Sequence, residues 1–219
     1  MTDNTIECAL ATADRTFGPL QRWSHDLTPV HGAYARSFRL ADIDGDGLAD
    51  ACARSAVGII CTTSSGRGFN HAHVWLATSR GPREAKGKEL LDDGRRLELA
   101  DLNGDGRADL CGRAHDGIDC AISNGHTFTA PSQWSKDFGG DGVRLADLNG
   151  DGRADACAST PSGISCALSG GHAFKHATIW SPPNAAEIQL ADLNGDGRAD
   201  LCAVGSGAMA TKLECGMAP

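Results

Sequence analysis

The nine residues Asp147-Leu148-Asn149-Gly150-Asp151-Gly152-Arg153-Ala154-Asp155 recur four times along the chain with small changes. The copies, loops 1 to 4, lie at residues 42–50, 101–109, 147–155 and 192–200. Oxygen-bearing side chains stand at loop positions 1, 3, 5 and 9, and glycine at position 6 lets the backbone curl round an ion. Ca²⁺ takes about six to eight oxygen ligands from carboxylates, amides and backbone carbonyls. The spacing therefore predicts four calcium loops.

The alternative is an ordinary turn rich in Asp and Asn that binds no metal, and a single copy of the motif would fit that interpretation equally well. Four copies that all keep the ninth Asp favour calcium, because like charges packed this closely repel one another without a cation. Position 12 holds Ala53, Gly112, Ala158 or Ala203 in place of the Glu of an EF-hand, which excludes that motif. Position 7 should give only its backbone carbonyl. The predicted ligands are Asp42, Asp44, Asp46, Leu48, Asp50, Asp101, Asn103, Asp105, Arg107, Asp109, Asp147, Asn149, Asp151, Arg153, Asp155, Asp192, Asn194, Asp196, Arg198 and Asp200.

A longer repeat surrounds each loop. Cys120, Phe128, Trp134, loop 3 and Cys157 follow one another in an order that recurs four times, with Phe and Trp always six apart. Successive loops begin 59, 46 and 45 residues apart, a period typical of propeller blades. The longer first spacing comes from an insertion at residues 79–95, which we expect to be a long surface loop.

Short strand patterns divide each repeat. One strand runs into the loop, a second leaves it, a third follows a turn, and a fourth is expected from the Phe to the Trp. Each repeat thus predicts a four-stranded antiparallel blade, and residues 1–219 one all-β propeller domain. The chain starts in a third strand and ends after one, so we expect the N- and C-terminal strands to pair and close the ring.

Nine cysteines indicate a disulfide framework, because most of them fall in pairs on neighbouring strands. No C-x2-C knuckle supports a zinc site. Cys202 can bond Cys215, which leaves Cys8 free or joined to another chain, or it can bond Cys8 and leave Cys215. The framework predicts an extracellular protein. The cysteines expected in disulfides are Cys52, Cys61, Cys111, Cys120, Cys157, Cys166, Cys202 and Cys215.

The charge and hydropathy exclude two classes of partner. The formal charge is −8, and thirteen of the 28 acidic residues lie in the four loops. We expect up to four bound Ca²⁺ ions, and four would bring the formal total to zero. No basic face for nucleic acid is indicated. No run approaches the roughly 18 apolar residues of a membrane span, and the polar start predicts no signal peptide.

The Leu-Ala-Asp-Leu-Asn-Gly-Asp-Gly-Arg-Ala-Asp segments resemble the calcium loops of FG-GAP/VCBS repeats. These repeats build the β-propellers of integrin α-subunits and of fungal lectins of the Psathyrella velutina type. The resemblance implies a propeller with calcium in the turn between the first two strands of each blade, where it stabilises the scaffold. Those relatives have seven blades, whereas this chain has four repeats and adds its cysteine pairs.

A carbohydrate-binding, lectin-like function is the leading hypothesis. Aromatic faces stack on sugars, and the candidate residues are Trp23, Trp75, Trp134 and Trp180, with His126 and His172 at matching positions. The competing interpretation places the tryptophans in the core between blades and the histidines in solvated turns. The alternative function is a protein-interaction or adhesion module of a larger secreted toxin, protease or wall-associated assembly. An enzyme is not expected, since no G-x-S-x-G or H-E-x-x-H motif occurs.

Overall fold

The computed structural model describes residues 6–24, 37–55, 57–77, 97–114, 116–136, 138, 142–181, 185–205 and 213–217. This part of the chain is all β and has no helix that is long and apolar enough to cross a membrane. Its strands are β1 (Ile6–Cys8), β2 (Gln21–Ser24), β3 (Arg39–Ala41), β4 (Asp50–Ser55), β5 (Gly58–Thr62), β6 (His73–Ala77), β7 (Glu98–Ala100), β8 (Asp109–Ala114), β9 (Gly117–Ala121), β10 (Ser132–Lys136), β11 (Arg144–Ala146), β12 (Asp155–Thr160), β13 (Gly163–Ala167), β14 (Thr178–Ser181), β15 (Ala185–Ala191), β16 (Asp200–Gly205) and β17 (Leu213–Gly216).

The strands form antiparallel blades in chain order. Blades 1, 2 and 3 are the complete four-stranded sheets β3–β6, β7–β10 and β11–β14. A half-blade, β1–β2, precedes them, and blade 4 has the three strands β15–β17. Each acidic loop connects the first strand of its blade to the second, as expected for a tight turn rich in glycine.

The core lies between successive blades. In blades 1 to 3 the second strand carries several small residues, as in Asp50–Ser55, and most of its side chains are buried because both faces of the strand are covered. One apolar cluster joins blade 1 to blade 2 through Ile43, Ile59 and Leu110, and equivalent clusters join blade 2 to blade 3 and blade 3 to blade 4. This packing confirms the predicted all-β blade architecture.

Four disulfides pin the second strand of each blade to the third. The bonded cysteines face each other directly in the strand register, and their Cα atoms are 4.1 or 4.2 Å apart. Of the two partners predicted for Cys202, the structure has Cys215 in the disulfide, and Cys8 is free. The bonded pairs are Cys52–Cys61, Cys111–Cys120, Cys157–Cys166 and Cys202–Cys215.

Two expectations about strands differ from the structure. The fourth strand does not begin at the Phe: Phe174 only bridges to Ser169 across a turn in which Gly171 has a φ of 83°, and β14 begins four residues later. The predicted pairing of the N- and C-terminal strands is also not formed among the described residues, because β17 takes the place beside β16 that β1 was expected to fill. The insertion predicted at residues 79–95 lies outside the described residues.

Charged side chains link the first strands of the blades. Arg39 and Glu98 stand three residues before their loops, as does Arg144 in blade 3. A guanidinium nitrogen of Arg39 lies 3.9 Å from a Glu98 carboxylate oxygen, and Arg144 lies 3.4 Å from Glu98 and 3.5 Å from Glu187 of β15. Positive and negative charges therefore alternate from blade 1 to blade 4.

Candidate metal centres and the blade junctions

The aspartate at loop position 1 organises each loop. In loop 1, Asp42 accepts hydrogen bonds from the backbone N–H groups of Gly45 at 2.7 Å and Gly47 at 2.8 Å. Both glycines have φ values above +80°, a conformation that glycine adopts far more readily than other residues. Loops 2 to 4 repeat these bonds. Position 4 is thus a second required glycine, which the ion-ligand pattern alone did not single out.

The aspartate at position 9 is buried and joins the loop to the blade. Asp50 accepts hydrogen bonds from the backbone N–H groups of Ile43 at 2.9 Å and Ser64 at 2.7 Å. Burial is the main cause that raises the pKa of Asp50 and of Asp109 to about 6. A cation bound beside such a carboxylate would favour its ionised form.

Loop 1 contains the one cluster of three acidic side chains with converging oxygens in the part of the chain that is described. One carboxylate oxygen each from Asp42, Asp44 and Asp50 lies within 4.8 Å of the others. Burial raises the pKa of Asp44, and the charges of Asp46 and Asp42 contribute to the rise. A crowded set of hard oxygen donors fits a cation such as Ca²⁺.

Loops 2 to 4 differ from loop 1 in charge and in local pairing. Each has Asn in place of the second Asp, and an Arg at position 7 that forms an ion pair with the Asp at position 5. Arg198 accordingly lowers the pKa of Asp196. The formal charge is −4 in loop 1 and −2 in each of the others. Loop 1 is therefore the most strongly acidic of the four candidate sites.

The loops of neighbouring blades are in direct contact. The N–H of Ala108, at position 8 of loop 2, donates to the carbonyl of Asp42 in loop 1 at 2.7 Å, and the same bond recurs at 2.6 Å in the next two junctions. The Arg107 side chain also lies over Gly45, where an added Cβ would be 3.1 Å from its Cγ. The candidate metal loops thus form part of the blade junctions.

A serine from the following blade completes each of two junctions. Ser123 donates its hydroxyl to the carbonyl of Ile43 in loop 1 at 2.6 Å, and Ser169 does the same for Leu102 at 2.8 Å. Sequence reasoning missed these contacts. The available signal was the recurrence of Ser fourteen residues after the ninth Asp, as in Ser123 after Asp109.

The tryptophans pack between blades. The ring of Trp75 lies 5.4 Å from that of Phe128 in the next blade, and Trp134 lies 5.5 Å from Phe174. Because Trp75 and Trp134 are buried in these contacts, the prediction that they stack on a sugar is wrong. Trp23 is half-buried against the Phe of blade 1, and Trp180 is exposed.

The two predicted histidines are exposed at matching positions. His126 and His172 both lie in the turn that leads from the third strand to the junction Phe. The His126 side chain lies close enough to Asp44 of the preceding loop to oppose, in part, the rise in the pKa of that carboxyl that burial causes. Exposed polar side chains therefore border the acidic loop, and their part in ligand binding stays a prediction.

Comparison with known proteins agrees with the repeat architecture. Residues 101–158 and 147–203 each match the family model of the FG-GAP-like repeat. No curated protein matches the chain. The fold is similar to that of an Agrocybe aegerita lectin that specifically recognises non-reducing terminal N-acetylglucosamine, with a TM-score of 0.67 and 24% identity over 90% of this chain and 54% of the lectin chain.

A second similar structure is the Tc holotoxin pore of Photorhabdus luminescens, with a TM-score of 0.62 and 18% identity over 99% of this chain and 11% of that chain. The chain thus spans about half of the lectin and about a tenth of the toxin chain, and at these identities the likeness concerns the fold. The family model covers loops 2 to 4, and the lectin fold agrees with the blade topology. Residues 101–203 thus consist of FG-GAP-like repeats, and the chain has the fold of β-propeller blades.

Proposed function

We propose that this chain is a secreted, calcium-stabilised binding module with a lectin-like function, and that its ligand is a carbohydrate. The observation that carries the proposal is the position of the acidic loops at the junctions between blades. A cation there would fix the orientation of neighbouring blades, and with it the spacing of exposed turns that repeat from blade to blade.

Calcium would be held by the side-chain oxygens at positions 1, 3, 5 and 9 and by the carbonyl at position 7. In loop 1 these are Asp42, Asp44, Asp46, Asp50 and the Leu48 carbonyl. The bound ion would neutralise the carboxylates and cross-link the loop, since ligands that bind only the folded state stabilise it. All of its donors belong to one tight turn, which favours a structural role over catalysis.

The carbohydrate contacts would lie in the turns that carry His126 and His172. Both side chains are exposed, in turns whose serines bond to loops 1 and 2, and they occur at equivalent positions of blades 2 and 3. Propeller lectins repeat one shallow site from blade to blade, and imidazole groups can donate or accept hydrogen bonds with sugar hydroxyls. The lectin fold of the Agrocybe aegerita protein makes terminal N-acetylglucosamine the first ligand to test.

The disulfides support the extracellular part of the proposal. Four of them in 219 residues are typical of proteins that fold in an oxidising compartment. A protein-interaction module of a larger secreted assembly is the second candidate. It is supported by the likeness to a segment of the Photorhabdus luminescens toxin, a much longer chain.

A glycan array with calcium and with EGTA tests the proposal. We expect the wild-type chain to bind glycans that end in N-acetylglucosamine, and the double change His126→Ala and His172→Ala to reduce the signal at least tenfold. The matched control is His176→Ala, another exposed histidine of blade 3. A folded, calcium-loaded chain that binds no glycan would refute the carbohydrate proposal and leave the protein-interaction module as the better candidate.

A further inference from the structure

Each blade junction is made of two complementary halves. The earlier half consists of the Trp of one blade with positions 2 and 4 of its loop. The later half consists of the Phe of the next blade with positions 7 and 8 of its own loop. Both halves meet fully between blades 1 and 2 and between blades 2 and 3, and their loop parts meet again between blades 3 and 4.

Parts of two earlier halves are left uncovered near the C-terminal end: the Trp of blade 3 and the loop positions of blade 4. Leu193, at position 2 of loop 4, is 51% exposed, whereas the residues at this position in loops 1 to 3 are buried. Gly195, at position 4, has no heavy atom within 4 Å of an added Cβ, whereas an arginine covers its three counterparts. Trp180 is 38% exposed, unlike the buried Trp75 and Trp134.

Parts of two later halves are left uncovered near the N-terminal end: the Phe of the half-blade and the loop positions of blade 1. Phe17 is 77% exposed, although its counterparts in blades 2 and 3 are buried against a Trp. Ala49, at position 8 of loop 1, is exposed, whereas the three equivalent alanines are buried. Leu48 replaces the arginine of position 7 and presents an apolar side chain at the same end.

We infer that these two surfaces bind each other between two copies of this chain, head to tail. They would complete the junction between blades 3 and 4 and form the loop part of a new junction between blade 4 of one copy and blade 1 of the other. Trp180 of one copy would pack on Phe17 of the other, and Leu48 would lie over Gly195. The four repeats superpose on 54% of the lectin chain, so two copies supply enough blades for one ring. Head-to-tail contacts that close in this way give a defined ring and not a filament.

The position of β1 allows a disulfide to form between the two copies. Cys8 lies on a third strand, in the place that Cys215 of β17 takes beside Cys202. When β1 of one copy completes blade 4 of the other, it displaces β17. The Cys8 thiolate then attacks the Cys202 sulfur, the Cys202–Cys215 bond breaks, and Cys215 leaves as a thiolate that takes up the proton lost by Cys8. The number of disulfides is unchanged.

The experiment uses the full 219-residue chain with calcium and measures mass by light scattering over a range of concentrations. We expect a species of twice the 22.7 kDa chain mass. Phe17→Ser and Leu193→Ser should each weaken self-association at least tenfold, because burial of such a side chain contributes strongly to binding. Val57→Ser is the matched control, since Val57 is 53% exposed in a hairpin turn away from both surfaces.

Cysteine variants give a second readout by non-reducing mass analysis. With oxidised glutathione as the two-electron oxidant, Cys215→Ser should give a covalent dimer whose linked peptides contain Cys8 and Cys202. Cys8→Ser should remove that link without removing the non-covalent dimer. A monomer at every concentration would overturn the inference. A Cys8–Cys202 link within one chain, or equal weakening by Val57→Ser, would overturn it as well. Neither readout depends on calcium-loop affinity or glycan binding.

Discussion

Replacement of Phe128 by Ala should destabilise the junction between blades 1 and 2 far more than the same change at Phe17. Phe128 keeps 5% of its surface exposed and packs 5.4 Å from Trp75, whereas Phe17 occupies the same repeat position and is 77% exposed. A buried Phe→Ala change costs about 3–5 kcal/mol, since apolar transfer is lost and a cavity remains. Loss of the ring pair places Phe128 towards the upper end of that range.

The expected loss can be read as a thermal shift. For a chain of this size 1 kcal/mol corresponds to roughly 2–4 °C in Tm, so Phe128→Ala should lower Tm by roughly 6–20 °C. The assay is thermal unfolding followed by circular dichroism with calcium present, at a dilution where light scattering shows a monomer. Phe17→Ala should stay within about 2 °C of the wild type. Equal shifts for the two variants would refute the assignment of the Phe–Trp pair to the junction.

Three further predictions concern the acidic loops. Removal of calcium with EGTA should lower Tm by roughly 5–10 °C for each site, if the free calcium concentration had been 100 times the Kd of that site. Binding at that concentration stabilises the folded chain by about 2.7 kcal/mol. An unchanged Tm would contradict calcium binding. Asp42→Asn should abolish the tightest calcium-binding event seen by calorimetry and Asp147→Asn should spare it, since loop 1 carries −4 and loop 3 carries −2; the reverse order would contradict this ranking. Because burial raises the folded-state pKa of Asp109 to about 6, above its ordinary value of 3.8, its contribution to stability is present at acidic pH and is lost as pH rises through 6. In the calcium-free chain, the free energy of unfolding measured with urea should therefore decrease more from pH 4.5 to pH 7.5 in the wild type than in Asp109→Asn. Equal decreases in the two proteins would contradict this role of Asp109.

The parts of the structure that depend on local sequence were predictable. The acidic loops, the strands on either side and the opposed cysteines all follow from residues fewer than fifteen positions apart. A tight turn and a hairpin leave few alternatives at that range. The choice of Cys215 for Cys202 could not be settled in this way, because Cys8 occupies an equivalent third strand at the other end of the chain.

The junctions were less predictable because they join residues far apart in sequence. Ser123 bonds to Ile43 across 80 positions, and the recurrence of this serine in the repeat does not identify the carbonyl that accepts its hydrogen bond. A Trp that recurs in every repeat can stack on a bound sugar or be buried between blades, and the sequence is compatible with both. The structure decides for the core at Trp75 and Trp134, where the next blade covers the ring. The residue type at a position does not by itself reveal which face of a blade the neighbouring blade covers.

The alternating charges on the first strands have a consequence for how such a chain can change length. Arg39, Glu98 and Arg144 each face a neighbour of opposite sign. Loss of blade 2 alone would bring Arg39 next to Arg144, and the two guanidinium groups would repel each other at a site with limited access to water. Loss of two adjacent blades would keep opposite signs together. Repeats in this protein can therefore be removed or added more readily as pairs than singly. The alternating charges on the first strands thus favour changes by an even number of blades.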